Sequence, residues 1–154
     1  MINRDKLEDI WMAMLGRCAR TGHLKSEVCD EWKVFENFAA WASVRYFHGA
    51  HLDKDILGNG KRLYSPETSA FVSRGLNYWY STGKWLHNKH VKVRRVDGWK
   101  RFEAVVGKNR LGIFLTEKKA REASKEYLAG IMAQFAYAEP DPRIKARLLS
   151  FKFK

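Results

Sequence analysis

The chain has little cysteine, little proline and no long apolar run, and each shortage narrows what it can be. Two cysteines among 154 residues, Cys18 and Cys29, provide no disulfide framework, so the fold must stand on its core. Cys18, His23, Cys29 and His48 lack the Cys-x-x-Cys pairs of a structural zinc set. No segment approaches the roughly 20 consecutive apolar residues that a membrane helix needs. The first eight residues are charged and lack the apolar core of a secretory leader. The expectation is a cytoplasmic protein with no membrane partner. No internal repeat or low-complexity tract is present, which excludes a solenoid.

What is present is material for a core and an excess of positive charge. Hydrophobic residues make up 45% of the chain and aromatics 14%, which excludes a wholly disordered protein. The net charge is +12, unevenly placed: residues 1–80 carry 11 Lys/Arg against 10 Asp/Glu, and residues 81–154 carry 18 against 7. A near-neutral half joined to a strongly basic half points to a polyanionic partner, with nucleic acid ahead of an anionic membrane surface.

Periodicity divides the chain into four stretches. Residues 1–80 form a first module, 81–90 a linker, 91–137 a second module and 138–154 a basic tail. In the first module, Leu7, Ile10, Trp11, Met14 and Leu15 predict a helix over 4–20. Trp32, Phe35, Phe38, Ala39 and Trp41 predict a second over 29–47, their aromatics serving as core. Residues 49–65, with Gly49, Gly58 and Gly60, read as strand, turn, strand, ending near Tyr64. Ser65-Pro66-Glu67 then reads as a helix start, with the helix running through Phe71 and Val72 towards Asn77.

The second module has a different rhythm. Val91–Arg95, Trp99–Val106 and Arg110–Leu115 are strands separated by Asp97-Gly98 and Gly107-Lys108-Asn109 turns. Thr116 caps a helix of about twenty residues carrying Ala120, Ala123, Tyr127, Leu128, Ile131 and Phe135. The tail opens on a turn broken by Pro140 and Pro142 and continues as a short helix or an arm. The fold class is therefore α+β: N-terminal helices and a strand–strand–helix finger, then a three-stranded antiparallel sheet packed on one helix.

Two groups of residues carry chemistry. Hydrolysis of a phosphodiester needs a base that ionises near neutrality, for which histidine is suited, and a cation to neutralise the phosphate. His51, Asp53, Asp55, Asn59 and Asn77 lie along the finger. The second group is the nine Lys/Arg between Lys84 and Arg110, interleaved with Trp85, Trp99 and Phe102 and opposed only by Asp97 and Glu103. Such residues grip phosphates and read base edges.

Both groups carry a family resemblance. His51-Leu52-Asp53, Gly58-Asn59-Gly60, Tyr64-Ser65-Pro66-Glu67-Thr68, Phe71-Val72-Ser73 and Asn77 resemble the ββα-metal finger of phage HNH homing-type endonucleases. Upstream, Met14-Leu15-x-Arg17-Cys18, Val28-Cys29-Asp30-Glu31-Trp32 and Leu52-Asp53-Lys54-Asp55-Ile56-Leu57 are similar to strings in the same family. The resemblance implies His51 as general base, Asn77 as metal ligand and Asp53 as a catalytic-loop brace, while Asp55, Asp53 or His48 would have to supply the further ligand that the family has at the position of Ala50. It implies Mg²⁺ or Mn²⁺ as cofactor. The chain departs from the family at Ala50, where the pattern has Asp or His, and at Thr68, where it has Asn. Leu111-Gly112-x-Phe114-x-Thr116-Glu117-x-x-Ala120-x-x-Ala123, with Val93-Arg94-Arg95 and Gly98-Trp99-Lys100, resembles the apetala/ethylene-response DNA-binding domain. That domain lays its sheet in the major groove. By position, Arg94, Arg95, Trp99, Arg101, Lys108 and Arg110 would contact DNA. The implied protein is a phage-type endonuclease that nicks or cuts duplex DNA in a bacterial host, as monomer or homodimer. The alternative is a catalytically degenerate HNH derivative that binds DNA or serves host takeover.

Overall fold

The computed structural model describes residues 2–20, 25–83 and 90–151. Helix α1 (Arg4–Cys18) starts on Asn3, whose side chain accepts from Lys6 N. The expected second helix is shorter and interrupted. A 3₁₀ turn (Glu31–Lys33) is followed by extended Val34, and only then by α2 (Phe35–Ser43). The two helical pieces surround one aromatic core of Leu7, Met14, Trp32, Phe35, Phe38, Trp41, Tyr64 and Phe71. The Trp32 and Trp41 rings pack at a tilt with centroids 4.6 Å apart, and Trp11 Nε1 donates to Trp32 O at 2.7 Å. The aromatics at these positions are core, as their spacing implies.

The finger is wired differently from the sequence expectation. Strand β1 (Glu27–Val28) pairs in parallel with β3 (Leu63–Tyr64). Strand β2 (His51–Asp53) takes as its antiparallel partner β4 (Ala70–Val72), with the short helix α3 (Asp55–Gly58) following β2 in the chain. The segment beginning at Ser65-Pro66 is therefore a turn and a strand, not a helix. Ser69 N donates to Ser65 O at 2.9 Å, and the Ser65 hydroxyl accepts from Thr68 N. Helix α4 (Arg74–Ser81) starts later, capped by Ser73, whose hydroxyl accepts from Leu76 N. The reason lies in burial. Phe71 belongs to the aromatic core, while Ala70 and Val72 belong to a second core on the other side. Alternation with a period of two satisfies both faces, which a helix at this position would not.

The C-terminal sheet is as its sequence reads. β5 (Val91–Val96), β6 (Trp99–Val106) and β7 (Asn109–Phe114) are antiparallel in the order β5-β6-β7. Asp97 and Gly98 both have positive φ (48° and 78°), the geometry of the tight hairpin turn that Asp-Gly favours. Helix α5 (Glu117–Ala138) starts at Thr116, whose hydroxyl accepts from Lys119 N, and packs on β6.

The tail is neither loose nor a free arm. Residues Pro142–Leu149 form α6, capped by Asp141, with Ile144 and Leu148 buried. They complete the second core with Ile56, Val72, Leu76, Val106, Leu128, Met132 and Ala136. Residues from both sides of the expected boundary near Ser81 thus share one core. Polar ties reinforce it: Arg143 donates to Pro66 O and Ser69 O, Arg147 to Ile56 O, and Ser73 N to Glu139. No helix among the described residues is long and apolar enough to cross a membrane.

Candidate functional site

The β2–β4 register decides what stands beside His51. His51 is opposite Val72, and Val72 is followed at once by Ser73, the cap of α4. Asn77 lies one turn into that helix, its N–H donating to Ser73 O at 3.0 Å. The strand end and the helix start therefore open onto one cleft of about 450 Å³, lined by His51, Asp53, Asp55 and Asn77 together. Four of the five residues singled out in the finger meet there. Asn59 does not line this cleft: it has left-handed φ at the end of α3, and its Oδ1 accepts from Arg147 Nη2.

The two carboxylates differ in character. Asp53 is buried, and its Oδ1 accepts from Asp55 N (3.0 Å) and Ile56 N (2.9 Å), starting α3. Burial pushes its carboxyl up to about 6, against the pull of those backbone N–H groups. Asp55 is half exposed and accepts from Lys54 Nζ at 2.6 Å. Among the described residues no three His, Cys, Asp or Glu side chains gather as a metal-ligating group.

The cleft also holds residues that the motif reading passed over. Lys6, Ile10, Ala13 and Arg17 of α1 form one wall. They recur at helical spacing, so the stripe was visible in the sequence as a face with cations at both ends. Lys54 and Tyr64 line the cleft as well. Arg17 Nε donates to the Tyr64 hydroxyl at 2.9 Å.

The sheet face opposite α5 is the second candidate surface. Strand pairing puts Lys92 across from Glu103 and Arg94 across from Arg101, all on this face with Trp99, which is 68% exposed. Arg110 joins them across from Val105, at a bulge in β7. Arg94 Nε and Arg110 Nε donate to the two oxygens of Glu103 at 2.7 and 2.6 Å. The Arg94 hydrogen bond, aided by Arg110, holds the Glu103 carboxyl below its usual range. Arg95, one of the expected DNA-contact residues, stands apart from this face. It pairs with Lys100, and strand alternation puts both on the α5 side. Lys108 sits in the β6–β7 turn, at the end of β6 remote from Trp99. Lys84, Trp85 and Lys89 lie outside the described residues, as does His23.

No family model matches the chain, and no curated protein or solved structure proved detectably similar to it.

Proposed function

We propose that the protein is an HNH-type DNA endonuclease: the basic sheet face holds the duplex and the His51 cleft hydrolyses a phosphodiester. The observation that carries this reading is the meeting of His51, from a strand end, with Asn77, from the first turns of a helix, in one cleft with two carboxylates. Among the described residues neither the His51 ring nor the Asn77 amide is tied up by a side-chain hydrogen bond.

In the proposed reaction the His51 imidazole accepts a proton from water. The water oxygen bonds to phosphorus, the bond from phosphorus to the 3′-oxygen breaks, and that oxygen takes a proton from solvent water, leaving a 5′-phosphate and a 3′-hydroxyl. Asp53 fixes the turn into α3 through its two backbone hydrogen bonds and so keeps His51 and Asp55 in place. The Asn77 amide oxygen and the half-exposed Asp55 carboxylate line the same cleft and would be the oxygen ligands of a hard divalent cation. Mg²⁺ or Mn²⁺ held there would neutralise charge on the phosphate and the leaving oxygen. One cleft cuts one strand, so a monomer nicks and a homodimer makes a double-strand break.

Plasmid nicking with Mg²⁺ or Mn²⁺ tests this, comparing the wild type with His51→Ala and Asn77→Ala. Loss of nicking in both variants is expected; equal nicking by all three proteins sinks the proposal. A second reading is a catalytically retired DNA-binding protein, favoured by Ala50, which offers no ligating atom beside His51, and by the Lys54 ammonium already seated on Asp55. It predicts salt-sensitive DNA binding, no nicking, and no response to divalent cations.

A further inference from the structure

Three cations line the cleft, and two of them are organised by a single buried ring. Tyr64 is held in β3 with almost no exposure. The Arg17 guanidinium carbon lies 5.4 Å from its ring centroid and Lys54 Nζ lies 5.5 Å from it. Arg17 is further anchored through Nε on the Tyr64 hydroxyl. The Lys54 side chain is only 11% exposed. An ammonium so buried is costly unless something fixed compensates it, and its ion-pair partner among the described residues, Asp55, is itself half in water. Among the described residues neither Arg17 nor Lys6 has a carboxylate partner within ion-pair distance. Between those two cations the α1 wall is apolar, through Ile10 and Ala13.

We propose that Arg17, Lys54 and Lys6 form a phosphate-binding subsite in the cleft, which takes a phosphodiester of a nucleic-acid backbone against an apolar wall that fits the sugar. This deepens the proposed function and rests on it for the class of ligand. The guanidinium is the main receptor. Its Nε is spent on Tyr64, which fixes the plane and leaves both Nη groups for two phosphoryl oxygens. Lys54 supplies a point charge beside His51, and Lys6 a second at the solvent end. The three cations outnumber Asp53 and Asp55 in the cleft, so the local field favours an anion before any metal is bound.

The test is titration of the full chain in EDTA with 5′-phosphorylated dithymidine and, separately, with inorganic phosphate, followed by NMR at the His51 ring and the Arg17 Nε–H. Arg17→Gln and Lys54→Gln are each expected to weaken dinucleotide binding by about ten-fold or more, the loss of one charge-assisted hydrogen bond. Tyr64→Phe keeps the ring in the core and frees Arg17, and it should weaken binding by a smaller factor. Lys118→Gln on the exposed face of α5 should leave it unchanged. The proposal is overturned if the dinucleotide does not shift His51, or if the Arg17 and Lys54 variants bind like the wild type. Binding of inorganic phosphate without the dinucleotide overturns the nucleic-acid assignment. Because no divalent cation is present, the outcome is separate from nicking: dinucleotide binding with no nicking upholds the subsite and removes the nuclease.

Discussion

Glu103 Oε1 accepts from Arg110 Nε at 2.6 Å, so a side chain of the central strand holds the main candidate cation of the strand beside it. Its other oxygen does the same for Arg94 of β5. Glu103 is 1% exposed, while the arginines are half exposed or more. The carboxylate therefore lies beneath two guanidinium groups, setting their separation on the open face. Glu103→Gln keeps the shape and removes the charge. The expected result has two parts: binding to random-sequence duplex at low salt rises a few-fold, because a negative charge has left the face, and discrimination among sequences falls, because the two forks are no longer held. Selection from a random-sequence pool followed by binding isotherms reads both. A variant that keeps the wild-type sequence preference would remove Glu103 from any positioning role.

The split of the basic residues between the two faces gives a sharper contrast. Arg94→Ala is expected to weaken DNA binding and to lower the slope of log K against log salt by about one. Arg95→Ala, one residue on but on the α5 side, should do little of either. Trp99→Ala should weaken binding with no change in salt slope, since it removes contact area and no charge. Equal losses for Arg94→Ala and Arg95→Ala would show that the open face is not the one that meets DNA.

The legibility of the chain followed the locality of its signals. The sheet β5–β7 and α5 were readable because Asp97-Gly98, the alternation of Phe102, Ala104 and Val106, and the Thr116 cap are all short-range signals. β4 was not. Ala70-Phe71-Val72 is too short to show its period, and Ser65-Pro66 marks a turn as well as it marks a helix. What selects the strand is a core on each side, one of them built partly by α6, more than seventy residues away. His51, Asp53, Asp55 and Asn77, which share the cleft, could be singled out because their spacing resembles a known motif. Arg17 and Lys54 act through Tyr64, a contact that no spacing displays.

Asp53 gives a prediction about pH. Its carboxyl is pushed up to about 6, chiefly by burial, against roughly 3.9 in an unfolded chain. Between those values the folded protein keeps a proton that the unfolded chain has released. Stability therefore falls as pH rises through that window, and the full cost is present above about 6. Asp53→Asn removes the charge and keeps an oxygen that can still accept from Asp55 N and Ile56 N. In EDTA the variant should match the wild type near pH 4 and be about 2 kcal/mol more stable at pH 8. Urea denaturation at both pH values checks it, and parallel pH profiles for the two proteins would contradict it.

Helix α6 connects the tail to the cleft. Ile144 is fully buried, and Arg147, on the same helix, donates to Ile56 O in α3. Ile56 N is in turn one of the two donors that hold Asp53. Ile144→Ala should therefore cost about 2–5 kcal/mol, the usual range for a buried aliphatic truncation. Leu149→Ala, half exposed on the same helix, should cost within about 0.5 kcal/mol. The informative readout is local. In Ile144→Ala, hydrogen exchange at Ile56 N–H should accelerate by more than the global loss of stability explains, because α3 loses the helix that clamps it. If α3 exchanges only by global unfolding in both proteins, α6 supports the core without supporting the cleft, and the shared core of the two halves would be a matter of stability alone.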